Sequence, residues 1–150
     1  MIFLQKIRPS HLVLQIFVLG LMLSMPIAGA NADGERISVI VNDDVPVTEI
    51  SRDEIQKIFL GRKTRWPNNQ TIHFVVLKGG PPHETFLKQY IGKTPSQFDV
   101  YWKKMVFTGK GGLPKSLASP EDMRAHVAQT PGAIGYVPEG AATEGVKKLS

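Results

Sequence analysis

The run Lys78-Gly79-Gly80-Pro81-Pro82-His83 holds the residue types best suited to chemistry. It follows an apolar, β-branched run and opens a helical pattern. Amides at a helix start point outward with the dipole behind them, which favours anions. Glycine lets a ligand approach the main chain closely, and Lys78 and His83 add positive charge. Pro81 and Pro82 each remove an amide donor and so thin this cradle. The competing reading is a plain strand-to-helix turn stiffened by its prolines. A second cluster, Arg62-Lys63-Thr64-Arg65-Trp66, sets three cations beside an indole. It could grip an anionic ligand or a partner protein with Trp66 as anchor, or be a solvated loop with Trp66 folded back. Thr108-Gly109-Lys110-Gly111-Gly112 could form a small anion nest, or a plain surface loop.

Other patterns exclude more than they suggest. Gly92-Lys93-Thr94 imitates a nucleotide-binding loop, but that loop needs glycine at position 87, where Leu87 stands. His83-Glu84 imitates a zinc-protease start, but the same Leu87 occupies the place of the second histidine. His73 falls inside a strand pattern and His126 on a helix, neither with a partner at ligand spacing. There is no cysteine, so thiol catalysis and cysteine-based zinc sites are excluded. No nucleophile elbow or carboxylate pair is evident. A hydrolase built on His83 and Glu84 would lack an ordered nucleophile. The chain is therefore expected not to be an enzyme, and to need no cofactor or metal. Asn69-Gln70-Thr71 matches a glycosylation sequon by pattern alone.

These residues need elements to position them. Ile37 to Val41 is β-branched and nearly continuous, and predicts a buried strand. Ser51 and Glu54 form a capping box ahead of Ile55, Ile58 and Phe59, and Gly61 suits the helix stop. Arg62 to Asn69 is a polar loop, and Ile72 to Leu77 predicts a second strand. The glycine turn then leads into a helix from about His83 to Ile91, stopped by Gly92. Thr94, Pro95 and Gln97 start a helix to about Phe107 with Phe98, Tyr101, Trp102 and Met105 on its apolar face. Thr108 to Ser116 is expected to be loop. Ser119-Pro120-Glu121-Asp122 opens a helix through about Ala128. Pro131-Gly132 turns into a strand over Ala133 to Val137, and Val146 to Leu149 is a last edge strand. Strands alternating with helices predict a layered α/β domain.

The N-terminal stretch reads as a targeting segment. Lys6 and Arg8 precede the apolar run Leu12 to Leu23, Met25-Pro26 breaks it, and Ala28-Gly29-Ala30 follows. This is the pattern of a secretory signal peptide cleaved after Ala30 or Ala32. The apolar run is shorter than the roughly 20 residues a membrane span needs. Residues 33–150 then form one domain with one modest core. The formal charge is +5, and removing Lys6 and Arg8 leaves +3. So mild a surplus suits an anion-attracting surface. Nucleic-acid binding is not expected, because no basic stripe with interleaved aromatics is present.

Three stretches resemble the substrate-binding proteins of phosphate ABC transporters, within the type II periplasmic-binding-protein superfamily. They are VIVNDDVPV from Val39 to Val47, ISRDEIQKIFLGRKTRW from Ile50 to Trp66, and PGAIGYV from Pro131 to Val137. The resemblance implies a single α/β lobe with a central mixed sheet flanked by helices. A site is expected at the strand ends near the sheet's switch point, made by Lys78, Gly79, Gly80 and His83, with Gly132 and Gly135 shaping the neighbouring backbone. The family's phosphate turn reads like G-S-G-T and falls on Gly79-Gly80-Pro81-Pro82. Gly79 is retained, Gly80 replaces the serine, Pro82 replaces the threonine, and Val76 stands where an arginine is usual. The implied function is a periplasmic solute-binding-like protein recognising a small, phosphate-like anion weakly or with a partner. A second copy of the chain could supply the missing enclosure as a homodimer. The alternative is a ligand-free interaction module docking on an envelope transporter or sensor through Arg62, Lys63, Arg65 and Trp66.

Overall fold

The computed structural model describes residues 35–150; the leader read at 1–32 lies outside them. Strand β1, Ile37–Val41, is buried along its whole length, as its unbroken apolar run requires. Helix α1, Arg52–Phe59, starts with Ser51 accepting from the Glu54 N–H while the Glu54 side chain reaches back. Strand β2 is His73–Leu77. Helix α2, Pro81–Phe86, begins at its two prolines and runs into a wider π-helical turn over Leu87–Ile91, which Gly92 ends in a left-handed conformation. Helix α3, Pro95–Phe107, is capped by Thr94 and Gln97. Strand β3 is Lys115–Leu117, helix α4 is Pro120–Gln129, strand β4 is Ala133–Pro138, and strand β5 is Lys147–Lys148. β3 corrects the expectation of loop through Ser116. Its polar residues carry no strand pattern, and pairing with β2 alone makes it a strand.

The five strands form one mixed sheet in the order β3-β2-β4-β1-β5. β2 runs parallel to both β3 and β4, while β1 is antiparallel to β4 and β5. Neighbouring residues of β4 show how the layers form, because strand side chains alternate between faces. Tyr136 stacks on Phe86 of α2, with ring centroids 3.8 Å apart. Gly135 faces the other way, and a Cβ there would come within 2.4 Å of Met123 in α4. One face of the sheet therefore carries α1, α2 and α3, and the other carries α4. The result is a single α/β lobe, a mixed sheet flanked by helices.

An aromatic chain welds the first face. Phe59 lies 4.7 Å from Phe86 and 5.3 Å from Phe74, and Phe74 lies 5.4 Å from Trp102. Truncating Phe59 to alanine would cost about 3–5 kcal/mol, transfer and cavity together. On the second face, Asn42 donates to the carbonyls of Val127 and Ala128 at 2.9 and 3.0 Å. A buried side chain at the end of β1 thus ties off the last turn of α4. Among the described residues the core closes within Ile37 to Leu149. No helix among them is long and apolar enough to cross a membrane.

Candidate functional site

The carboxyl end of β2 is where this topology leaves room for a ligand. From β2 the chain reaches β3 through α2 and α3 on one face, and then reaches β4 through α4 on the other. Such a change of side opens a crevice beyond the strand ends. A cleft of about 240 Å3 lies there. Its walls include Leu77 and Lys78 at the end of β2, His83 of α2, Trp102 and Lys103 of α3, and Ser116 of β3. Asp99 of α3 and the loop residue Leu113 complete the mouth.

His83 sits at the base of this cleft through a relay that begins in the sheet. The β2–β4 ladder registers only His73 with Ala133 and Phe74 with Ile134, so Leu77 lies beyond it. The Leu77 N–H donates instead to the Tyr136 hydroxyl at 3.0 Å. The Tyr136 oxygen lies 2.6 Å from His83 Nδ1. Burial pushes the Tyr136 phenol well above its ordinary range, so it keeps its proton. The Tyr136 hydroxyl has no acceptor in reach among the described residues besides His83 Nδ1, so its proton is donated there. The imidazole must then carry its own hydrogen on Nε2. Burial also lowers the His83 pKa from its ordinary value, outweighing the opposite pull of Asp99 and Glu84. At neutral pH His83 is therefore a neutral ring, with Nε2–H as its one remaining donor, in the wall of the cleft.

The rest of the wall is mixed. Lys78, Lys103 and Asp99 leave one surplus positive charge, and Ser116 supplies a hydroxyl. Phe98, Trp102 and Leu113 supply apolar surface. An acceptor-bearing anion finds two neutral donors, His83 and the Ser116 hydroxyl, and two cations here, with an aromatic wall beside them. Burial of a small anion against such fixed donors is favourable only where cations offset its lost hydration.

The predicted site residues divide into three groups. Lys78 and His83 line the cleft. Gly79 and Gly80 are exposed and follow Lys78 in the chain without lining the cleft; among the described residues neither amide donates a hydrogen bond, and a Cβ on Gly79 would meet nothing within 4 Å. Gly132 and Gly135 do not join them, which corrects the expectation. Gly132 precedes β4 beside His73, at the opposite end of the parallel strands. It has φ +73°, a Cβ there would fall 2.3 Å from the Thr71 carbonyl, and its N–H bonds to Asp44. Gly135 is needed to admit α4. Both are packing positions.

The cationic loop is corrected in the same way. Trp66 is buried, and its indole N–H donates to the Gly132 carbonyl at 3.0 Å. It cannot serve as an exposed anchor. Lys63 pairs with Glu54 at 2.5 Å, and Arg65 donates to the Asn69 carbonyl at 2.8 Å. Arg62 remains exposed. In the loop after α3, Gly111 lies against Trp102. Sequence reading missed Asp99, Lys103, Ser116 and Tyr136. Only Tyr136 left a trace, as the one polar-tipped residue in an otherwise apolar strand.

No protein-family model matches the chain, and no curated protein sequence matches it. Solved structures do. An ABC-type phosphate transport receptor from Vibrio cholerae superposes with a TM-score of 0.59 at 17% identity, covering 77% of this chain and 46% of that one. PstS from Borrelia burgdorferi gives 0.60 at 18%, covering 77% and 47%. A phosphate ABC transporter substrate-binding protein from Clostridium perfringens, solved with bound phosphate, gives 0.59 at 18%, covering 77% and 44%. The chain thus spans less than half the length of these neighbours, and its fold is that of a single lobe of a phosphate-transporter substrate-binding protein.

Proposed function

We propose that this chain is a periplasmic solute-binding-like protein that takes a small anion in the cleft at the end of β2. The observation that carries the reading is the 2.6 Å contact of His83 Nδ1 with the Tyr136 hydroxyl, which assigns the ring's hydrogen to Nε2, in a cleft that Lys78 and Lys103 also line. The solved neighbours are binding proteins of phosphate transporters, which supports a binding role over catalysis. Phosphate itself is not singled out. The serine, threonine and arginine expected around a phosphate turn are replaced here, and the aromatic wall suits an organic carboxylate equally well.

A single lobe covers only one side of its ligand, so affinity should be weak until a partner or a second copy closes the cleft. Calorimetry with phosphate, sulfate and small carboxylates tests this. The expected result is millimolar binding of at least one anion, weakened about fivefold or more in Lys103→Gln with no change in melting temperature. Absence of heat for every anion at tens of millimolar would refute the proposal. The periplasmic assignment predicts a mature N-terminus at Asn31 or Asp33, readable by mass spectrometry of the exported protein. The docking alternative is weakened where it was first placed, because buried Trp66 removes its anchor.

A further inference from the structure

Among the described residues the large apolar side chains left in solvent are Val100 (61% exposed), Val106 (42%), Phe107 (92%) and Leu113 (67%). Single exposed apolar residues are ordinary. These four are not scattered, because all fall in one stretch at the end of α3. From Val100 to Pro120 the chain carries Lys103, Lys104, Lys110 and Lys115 and no acidic residue. None of these lysines pairs with a carboxylate among the described residues.

The local backbone makes the stretch protrude. α3 ends at Phe107, and Gly109, at φ +69°, turns the chain so that the Lys110 N–H bonds back to the Met105 carbonyl at 2.9 Å. Phe107 is left at the tip. The chain then passes Trp102 and brings Leu113 to the cleft mouth beside Lys103.

We infer that this tip binds the surface of an anionic lipid bilayer. Phe107, with Val106, enters the headgroup boundary while Lys104 and Lys110 lie against anionic headgroups. The shape selects a bilayer over a protein partner. Val106 and Phe107 project together from the helix end, between Lys104 and Lys110, and do not line the cleft. A protein would need a matching pocket for an isolated ring, whereas a fluid interface accepts it anywhere. The cationic surround requires the surface to be negative. The inference is independent of anion binding in the cleft.

The test is co-sedimentation of residues 33–150 with vesicles of equal parts phosphatidylglycerol and phosphatidylcholine, against pure phosphatidylcholine. Binding to the anionic vesicles alone is expected, falling as salt is raised. Lys104→Gln/Lys110→Gln should weaken partition by about twenty-fold, from roughly fivefold per lysine near such a surface. Phe107→Ser should abolish most of it while melting as the wild type does, since that ring has almost no contacts to lose. Equal or absent partition onto both vesicles overturns the inference. So does a Phe107→Ser effect seen only in self-association or in capture of an acidic protein.

Discussion

Tyr136 joins the sheet to the cleft with one oxygen. Replacing it with phenylalanine strands the Leu77 N–H and frees the His83 tautomer. The predicted cost is about 1–3 kcal/mol, read as a lower urea midpoint with an unchanged slope. His83 adds a pH dependence whose sign follows from its lowered pKa. In the unfolded chain it titrates near the ordinary histidine value, so below that the unfolded state binds more protons. Stability is therefore full above about pH 6.5 and falls as pH drops toward the folded value. His126 is lowered too, by burial first and then by Lys115 and His73. His83→Gln should flatten the slope between pH 7 and 5 without removing it. At this scale the site was half legible. Lys78 and His83 adjoin a glycine turn, and that adjacency is visible in one line of sequence. Lys103 and Ser116 arrive from α3 and β3, and only the tertiary fold brings them to the same cleft.

Glycines divide by element rather than by motif. Gly132 lies where the backbone of Thr71 leaves no room and φ is positive. Gly132→Ala should cost about 2–3 kcal/mol by denaturant melts, from overpacking and strain together. Gly79→Ala should stay within about 0.5 kcal/mol of the parent, as expected for an open surface position. Both are expected at the site from the sequence, and the parallel pairing of β2 with β4 separates them. Capping boxes at Ser51 and Thr94 marked both helix starts, because those signals act locally. β3 had no local signal, and the inward turn of Trp66 depends on a carbonyl 66 residues away.

The described residues form one lobe, and the matched part of the chain covers less than half of each solved neighbour. Leu113, in the loop after α3, is the one exposed apolar residue of that stretch that also lines the cleft. Local patterning made the layered α/β architecture legible, since strand and helix periods alternate cleanly along the chain. The claim on which the functional account rests is that His83 offers Nε2–H to an anion. Long-range proton–nitrogen NMR of the His83 ring, followed through a titration with phosphate and then acetate, tests it most directly. The account predicts a neutral ring protonated at Nε2 before ligand, with that nitrogen shifting saturably as an anion binds. A ring protonated at Nδ1, or an Nε2 resonance unmoved by either anion, would contradict it.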